Sequence, residues 1–406
     1  MAGRPRKVKT EEKKEEKKYA NPCDQFFAES AEQISSQFGA DVVSSAADED
    51  KNLKYLEVPD LGMQWELGRM GFALGRILYA MGFEGAGKTS FSLWVANLAF
   101  QAGGFAAMIE TEQAGSAEHM SAYLDDPKRF RIYHPDTIED AMKMTLQTLN
   151  LFMKIDPKGE IPKVLILDSI AGSTDERSEE DEEDIAKPKV GGTAKLIKDY
   201  TNVIKGKLKQ TNTLWVVLNQ ARDHIDTSGM GAKIPEIDKV VSTGGRAIPF
   251  AATYWAILKK QAAVKEAGEK AGFKVKFTLK KNKLRVPFKE VYYHVKFGES
   301  FDFIEETMKL LTISEIGGLK KGKNGYYSKD MGIAEADGLS MEDMYALIHT
   351  PEYKQVFQEE LDIITDDTLL KYNAPKKKDE PTTRETGPEQ QEEVLPESLP
   401  DSEDTE

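Results

Sequence analysis

The chain has 406 residues, of which 40% are hydrophobic and 31% charged, and its net charge is −14. This length allows about two domains, and the negative balance argues against a generally basic nucleic-acid-binding protein. The single cysteine, Cys23, excludes an internal disulfide and is typical of a reducing compartment. Because the sequence has neither an apolar run long enough to span a bilayer nor a secretory signal, we expect a cytoplasmic protein with no membrane partner.

Both ends of the chain are rich in charge and poor in aromatic residues. Residues 1–18 contain 8 Lys/Arg and 4 Glu, and residues 376–406 contain 11 Asp/Glu and 4 Lys/Arg. We therefore expect disordered tails over 1–20 and 373–406. A basic targeting signal near the N-terminus is the less favoured alternative to a solvated tail. Next to the first tail, apolar residues at helical spacing predict a helix from about 21 to 39, within an N-terminal segment 21–55.

A glycine-rich run, GFEGAGKTS, follows the apolar residues 77–81. It fits the pattern G-x-x-x-x-G-K-[ST], with a buried strand predicted before it and a helix after it. In that setting the backbone N–H groups of the loop face phosphate, Lys88 reaches the β/γ-phosphates of ATP, and Thr89 holds Mg²⁺. A structural turn is the alternative. The predicted ATP-binding residues of this run are Gly82, Glu84, Gly85, Gly87, Lys88, Thr89 and Ser90.

Strands and helices then alternate along the chain. The predicted strands are residues 105–112, KVLILDSIAG, TLWVVLNQAR and AATYWAILKK, followed by an antiparallel pair, KVKFTLKKNK and EVYYHVKFGESFD. The predicted helices are IEDAMKMTLQTLNLFMKI and TAKLIKDYTNVIKGKLKQ. This alternation predicts an α/β fold with a mostly parallel sheet covered on both faces. From about Ile304 the pattern turns helical around an Asn324-Gly325 hairpin, which predicts a core over 56–303 and a smaller domain over 304–372.

Polar side chains end three of these predicted strands. Asp168 ends the strand KVLILD, where a carboxylate can hold Mg²⁺; a strand-end cap is the alternative. Glu110 and Glu112 fall on one face of their strand, and either carboxylate could position water for attack on the γ-phosphate; a surface charge is the alternative. Asn219 and Gln220 end a third strand, where an amide could sense the γ-phosphate and move the next loop.

Three predicted loops have unusual compositions. One is acidic, at Asp175–Asp184; one is basic and glycine-rich, at Lys187–Gly192; and one is long and glycine-rich, at Asp223–Gly245. A loop of about 20 residues inside a compact domain indicates either function or disorder. Positive side chains in and beside the loops are Lys187, Lys189, Lys195, Arg222, Lys233, Lys239 and Arg246. A solvated basic surface is the alternative to a functional role for any one of them.

Taken in order, these segments resemble the RecA recombinases and their phage relatives over about residues 28–372. Ala31–Gly39 is similar to the RecA helix that docks on a neighbouring subunit, and ILDSIAGST resembles the family's strand that ends in Asp-Ser. KQTNTLWVVLNQAR and STGGRAIPFAA resemble the two ends of a DNA-binding loop, and KKNKLRVPFKE resembles an element whose lysines cross the subunit interface. The resemblance implies a RecA-type P-loop ATPase core, an N-terminal oligomerisation helix and a small α+β C-terminal domain.

The resemblance also implies roles at the nucleotide. Glu112 is the catalytic carboxylate for ATP hydrolysis, and Gln220 is the sensor of the γ-phosphate. Lys88 is the third catalytic residue. Lys281 and Lys283 act on the ATP of a neighbouring subunit.

For DNA, the resemblance implies two loops, one from Glu180 to Gly192 and one from Arg222 to Gly245. The region around Lys320, Lys321 and Lys323 corresponds to the part of the C-terminal domain that guides duplex DNA. The implied DNA-binding residues are Lys187, Lys189, Gly191, Gly192, Arg222, Lys233, Thr243, Gly244, Gly245 and Arg246.

The function that the resemblance implies is a DNA-dependent ATPase that forms a helical homo-oligomeric filament on single-stranded DNA and exchanges strands with duplex DNA. Single-strand-binding and loading proteins are further expected partners. The chain departs from the bacterial pattern at Gln113, where bacterial members carry His, and in lacking aromatics between 222 and 245. These departures are compatible with a phage-type member acting in the host cytoplasm. The alternatives are a RecA-fold ring helicase and a filament-forming DNA-binding protein with a decayed ATPase.

Overall fold

The computed structural model of the protein describes residues 21–38, 43, 53–112, 116–170, 192–223, 240–242, 245–266, 268–287, 290–357 and 359–360. Its helices are α1 Pro22–Phe38, α2 Leu61–Leu67, α3 Lys88–Gln101, α4 Ala117–Ser121, α5 Ile138–Ile155, α6 Gly192–Thr211, α7 Ala247–Ala251, α8 Ile304–Ile313 and α9 Met341–Ile348. Residues 351–357 are also helical. The helices predicted near 21–39 and at IEDAMKMTLQTLNLFMKI are confirmed. No helix in these ranges is long and apolar enough to cross a membrane.

The strands are β1 Tyr55–Glu57, β2 Gly71–Ala73, β3 Ile77–Gly82, β4 Phe105–Glu110, β5 Arg131–Tyr133, β6 Lys163–Asp168, β7 Thr213–Asp223, β8 Val240–Ser242, β9 Tyr254–Glu266, β10 Glu269–Asn282, β11 Glu290–Lys296, β12 Phe301–Asp302, β13 Leu319–Gly322 and β14 Gly325–Ser328. The strand predicted at 105–112 is two residues too long, because β4 ends at Glu110. The strand predicted from AATYWAILKK begins later, at Tyr254, since a short helix, α7, occupies the residues before it.

Among the described residues the main sheet has ten strands, in the order β12-β11-β10-β9-β3-β7-β6-β4-β5, with β8 paired to β7. The six strands from β9 to β5 run parallel. Strands β10, β11 and β12 extend one end of the sheet in antiparallel pairs. The predicted mostly parallel α/β core and the predicted antiparallel pair are therefore confirmed.

Both faces of the parallel strands are covered, as the residues of β3 show. Leu78 and Ala80 belong to one apolar core, together with residues of α3. Ile77, Tyr79 and Met81 belong to the other, together with residues of α5 and α6. Side chains alternate between the two faces of a strand, so a strand that is apolar at every position is stable only between two layers. This packing fixes the carboxyl ends of β3, β4, β6 and β7 at one edge of the sheet.

A buried ion pair lies at the opposite edge of the sheet. Lys163, at the start of β6, is fully buried, and its Nζ lies 2.5 Å from Asp156 Oδ2. The same ammonium donates to the carbonyl oxygens of Ile161 and Thr211, at 2.8 and 3.0 Å. Burial alone would raise the pKa of Asp156, but the bonds from Lys163 and two backbone N–H groups lower it to about 2. The pair therefore holds the α5–β6 connection against the end of α6.

The elements after β12 pack around an apolar cluster of their own. It contains Met308 and Leu311 of α8, Met344 of α9, and Phe357. The predicted hairpin is confirmed, since β13 and β14 pair, but its turn is Lys323-Asn324, because Gly325 already pairs with Gly322. Leu61 of α2 also joins the cluster, so these elements lie directly on the segment that precedes β2.

Asp60 also joins α2 to the elements after β12, through hydrogen bonds. Its buried carboxylate caps α2 and accepts hydrogen bonds from Thr307 of α8 at 2.6 Å and Tyr345 of α9 at 3.1 Å. Burial raises the pKa of Asp60 to about 6, and the hydrogen bonds oppose that shift. One carboxyl group thus joins three helices.

Candidate nucleotide-binding site

The P-loop connects the end of β3 to the start of α3. Gly87, the residue before α3, has φ of 81° and offers no side-chain cap to the helix. The first N–H groups of α3 are therefore available to an anion, which the helix dipole also favours. At the other end of the loop, a Cβ on Gly82 would lie 2.5 Å from the Leu258 carbonyl oxygen of β9. Glycine at 82 thus lets two parallel strands approach where the loop begins.

Thr89 and Asp168 lie in direct contact, as a shared metal site requires. Thr89 Oγ1 donates to Asp168 Oδ2 at 2.6 Å, across the space between α3 and the end of β6. Burial raises the pKa of Asp168 to about 6; the nearby Glu112 adds to the rise, and the bond from Thr89 opposes it. A hydroxyl and a carboxylate side by side are hard oxygen donors, the kind that Mg²⁺ prefers. These two residues therefore fit an Mg²⁺ ion.

Lys88 lies over its own loop, with its Nζ 3.1 Å from the Phe83 carbonyl oxygen. Burial lowers the pKa of this ammonium, and the carboxylates of Asp168, Glu112 and Glu84 act in the opposite direction. The ammonium is thus a half-buried positive charge beside the loop that an anion would occupy.

Glu112 is the carboxylate that the structure brings to this site. Its Oε1 accepts from Ser169 Oγ at 2.6 Å and from Gln220 Nε2 at 3.3 Å. Glu110, by contrast, is buried and pairs with His134, whose Nδ1 lies 3.5 Å from Glu110 Oε2. The carboxyl ends of β4, β6 and β7 therefore meet in one cluster, with Glu112 at its centre.

The strand predicted to end at Asn219-Gln220 runs on to Asp223 as β7, and these two amides are separated in the same way. Asn219 is buried and donates from Nδ2 to the Tyr79 hydroxyl at 2.7 Å, while its Oδ1 accepts from the Gln220 backbone N–H. Gln220 is then directed at Glu112 instead. Since Arg222 follows two residues later in β7, Gln220 lies between the carboxylate and the second loop.

Sequence reasoning missed two contacts of this site. Ser169 was part of the Asp-Ser match but had no assigned role, and its contact with Glu112 cannot be read from spacing. His119 of α4 lies with Nε2 3.3 Å from Ser90 Oγ in the first turn of α3. Burial lowers the pKa of His119. A histidine after a polar turn gives no sequence signal that it will reach the P-loop helix.

Lys281 and Lys283 lie away from the P-loop of their own chain. Lys281 is in register with Trp255, which pairs with Tyr79, three residues before the end of β3. That offset is about 10 Å along the strand, and β9 lies between β10 and β3. Instead, Lys281 Nζ donates to the carbonyl oxygens of Pro249 and Phe250, both at 2.9 Å.

These lysines cap the carboxyl end of α7. Lys283 Nζ lies 3.5 Å from the Phe250 oxygen, and burial together with the Lys283 ammonium lowers the pKa of Lys281 to about 8. The Phe250 side chain is 70% exposed beside them. The pair thus belongs to a surface next to the end of the second loop rather than to the chain's own P-loop.

Most of the predicted DNA-binding residues lie outside the described ranges; they are Lys187, Lys189, Gly191, Lys233, Thr243 and Gly244. Gly192 begins α6, and Arg222 lies in β7. A Cβ on Gly245 would be 3.4 Å from Ala194 Cβ, so the residues that end the two predicted loops are neighbours. Arg246 is exposed next to this contact.

A second group of possible metal ligands lies among the described residues, where His294 of β11 faces Glu305 and Glu306 of α8. Lys274 forms an ion pair with Glu306 in this group. Because a cation already neutralises that carboxylate, we assign no metal to the group.

The family model of the RecA N-terminal domain matches residues 25–302. The chain belongs to the RecA family. Protein RecA of Helicobacter hepaticus is 29% identical over 290 residues, which cover 70% of this chain and 79% of the relative. Protein RecA of Aquifex aeolicus is 28% identical over 289 residues, with the same two coverages. RecA-family proteins are DNA-dependent ATPases of recombination and repair, so the predicted function in DNA recombination and repair is confirmed and the ring-helicase alternative is not favoured.

Proposed function

We propose that this RecA-family protein hydrolyses ATP in response to DNA, assembles as a helical filament on single-stranded DNA, and exchanges that strand with homologous duplex. One observation carries the proposal. Gln220 contacts Glu112 at the nucleotide site and lies in the same strand as Arg222, where the second loop begins. A single strand therefore joins the residues proposed for hydrolysis to the segment proposed for DNA.

The proposed chemistry divides among the side chains as follows. Lys88 and the N–H groups at the start of α3 bind the phosphates, and Thr89 with Asp168 holds Mg²⁺. Bound Mg²⁺ supplies charge stabilisation at the phosphoryl oxygens. Glu112 orients and polarises the attacking water, as a carboxylate held within reach of the γ-phosphate can do.

For DNA we propose the two loops that end at Gly192 and Gly245. Their ends lie together, since Gly245 lies beside Ala194 in the first turn of α6, and Arg246 is exposed next to this contact. Arg222, Arg246, Gly192 and Gly245 are the proposed DNA-binding residues among those described. Glycine lets backbone approach sugar and phosphate closely, and arginine adds charge that makes binding salt-dependent.

Assembly is supported by Lys281 and Lys283, which lie too far from their own P-loop to act there. We propose that they act on ATP held by a neighbouring subunit, and that the exposed Phe250 belongs to the same interface. Nucleotide and subunit contact then become a single coupled equilibrium.

The second support for assembly is α1. None of its residues is buried, and its exposed apolar side chains are Phe26, Phe27, Ile34 and Phe38. A groove of about 190 Å³ lies at β5, the terminal strand of the sheet order, lined by Phe105, Phe152, Ile155 and other residues. We propose that the groove receives α1 of a second copy, since each surface would bury apolar area that a single chain leaves in water.

Single-strand-binding and loading proteins are proposed as further partners on the ground of family membership alone.

The test combines an ATPase assay with negative-stain microscopy. We expect hydrolysis that rises when single-stranded DNA is added, and open helical filaments with DNA and an ATP analogue. Closed rings under the same conditions would favour a helicase. Filaments on DNA without hydrolysis would favour a DNA-binding protein with a decayed ATPase.

A further inference from the structure

Ser169 and Gln220 donate to the same oxygen of Glu112, and the two donors differ in their distance from it and in burial. Ser169 Oγ lies 2.6 Å from Glu112 Oε1, whereas Gln220 Nε2 lies 3.3 Å from it. A hydroxyl donating to a carboxylate at the shorter distance forms the stronger bond. Ser169 is fully buried, while Gln220 is only partly buried.

Ser169 is also anchored on both sides of its backbone. Its N–H donates to Thr111 Oγ1 at 3.0 Å, and its carbonyl oxygen accepts from the same hydroxyl at 2.7 Å. Thr111 is itself fixed, because its N–H donates to the Asp168 carbonyl oxygen at 2.7 Å. The Ser169 hydroxyl is therefore held by the joined ends of β4 and β6.

We propose that Ser169 is the positioning residue of Glu112 in ATP hydrolysis. The inference rests on the proposed function, in which Glu112 orients the attacking water. When Gln220 turns its amide to a γ-phosphate, Glu112 loses the weaker of its two donors. Ser169 keeps Oε1 in place, so that Oε2 is directed at the water instead of rotating away. Ser169 contacts neither phosphate nor metal in this account, and it acts only through Glu112.

The competing explanation is that Ser169 merely joins the ends of β4 and β6. The two explanations differ in what Ser169→Ala should change. Loss of a positioning bond lowers kcat, because the misdirected carboxylate orients water less well, and leaves ATP binding alone. Loss of a structural joint lowers the melting temperature and disturbs the P-loop, so ATP binding weakens as well.

The experiment measures kcat and KM for ATP at saturating single-stranded DNA, the Kd of a fluorescent ATP analogue, and the melting temperature of the full chain. The variants are Ser169→Ala and Ser169→Cys, which keeps the shape but offers a weaker donor. The matched control is Ser328→Ala, since Ser328 is an equally buried serine that donates to the Gly317 carbonyl oxygen at 2.6 Å, far along the chain.

For Ser169→Ala we expect kcat to fall roughly 10-fold or more with KM and Kd unchanged, as for a small displacement of a reacting group. Ser169→Cys should lie between wild type and Ser169→Ala, and Ser328→Ala should keep its kcat. A folded Ser169→Ala protein with wild-type kcat, or one that loses kcat and ATP affinity together, would overturn the inference and leave the proposed function intact. A wild-type protein that hydrolyses no ATP would overturn the proposed function, and this inference with it.

Discussion

Lys88 places a half-buried positive charge beside the P-loop. Its ammonium contacts the Phe83 carbonyl oxygen and lies among three carboxylates. Among the described residues, no hydrogen bond from this ammonium joins the P-loop to another element. We expect Lys88→Ala to lower ATP turnover by on the order of 10² or more, because a cation at transferring phosphate is lost. The melting temperature should stay near that of wild type.

The control for this variant is Lys143→Ala, which removes an exposed lysine that pairs with Asp140 on α5, away from the P-loop. Its turnover should match wild type. Near-normal hydrolysis by folded Lys88→Ala would contradict the phosphate role.

The Lys163–Asp156 pair predicts how stability changes in acid. The pKa of Asp156 is about 2 in the folded chain against 3.8 in a model peptide, so folding favours its ionised form. The resulting stabilisation is fully present above about pH 4 and is lost as the pH falls through about 2. Asp156→Asn should therefore lower the free energy of unfolding by about 3–5 kcal/mol at pH 5, as expected when one partner of a buried pair is removed.

The measurement is denaturant unfolding of wild type and Asp156→Asn between pH 5 and pH 2. We expect the difference in unfolding free energy between the two proteins to become smaller toward pH 2. The exposed Asp330 gives the control, since Asp330→Asn should stay within about 0.5 kcal/mol of wild type throughout. If this difference in unfolding free energy does not change with pH, the pair does not stabilise the fold electrostatically.

Residue types at the strand ends were predictable from the sequence, but their partners were not. The alternation rule put Glu110 and Glu112 on one face, yet β4 stops at Glu110, so the direction of Glu112 is not set by the strand. The same limit applies to Ser169, whose contact with Glu112 crosses 57 positions of chain. Spacing describes neighbours along one element, and these distances depend on how three strand ends meet.

At the level of elements, apolar periodicity predicted the long helices and the buried parallel strands well. It fixed α5 at its observed bounds, whereas the strand predicted from KVLILDSIAG begins at Lys163 as β6 does but ends earlier, at Asp168. It did not predict α7 or the pair β1 and β2, because three to five residues contain too little period to recognise. Short elements depend on contacts to the rest of the fold, such as the bond from Lys281 to the end of α7.

The α7–β10 contact leads to a prediction about subunit coupling. Lys281→Ala with Lys283→Ala should keep the core fold, since both ammonium groups contact only the end of the five-residue helix α7 and lie outside the apolar cores. If they act on a neighbour's ATP, the double variant should lose stimulation by single-stranded DNA, with turnover at saturating DNA falling about 10²-fold. ATPase titrations against DNA and negative-stain images would measure this.

A matched double variant is Lys205→Ala with Lys209→Ala, two exposed lysines of α6. It removes the same charge and should keep DNA stimulation. Normal stimulation and normal filaments in the Lys281/Lys283 variant would exclude the role between subunits.

The second element prediction concerns α1 and the groove at β5. Phe26→Ala with Phe27→Ala removes two rings that are 65% and 67% exposed. Because they are buried nowhere in the single chain, we expect an unchanged melting temperature but shorter assemblies in sedimentation with ATP analogue and DNA. Ile155→Glu in the groove should produce the same defect from the other side.

The control on the same helix is Gln25→Ala with Glu29→Ala, which removes an exposed polar pair. It should assemble as wild type does. Normal assembly by both the Phe26/Phe27 variant and Ile155→Glu would show that α1 docks elsewhere or not at all.

At the scale of the whole molecule, charge is distributed unevenly along the chain. Residues 376–406 lie outside the described ranges and contain 11 Asp/Glu and 4 Lys/Arg, which is 7 of the 14 net negative charges. The β13–β14 hairpin has the opposite character, with exposed lysines at 320, 321 and 323. An acidic segment on the same chain competes with phosphate for such a surface, at an effective concentration set by the connecting residues.

Deleting residues 376–406 should therefore strengthen DNA binding, and binding to duplex more than to a single strand. If the acidic segment competes with DNA phosphate for these lysines, the effect of the deletion must depend on salt. The gain should be large at low salt and shrink as salt rises, because screening weakens the hold of the acidic segment on the lysines. The measurement is duplex and single-strand affinity of the full and shortened chains across a salt series. Equal affinities of the two chains at low salt would rule out autoinhibition, and the acidic residues would then serve only to keep the protein in solution.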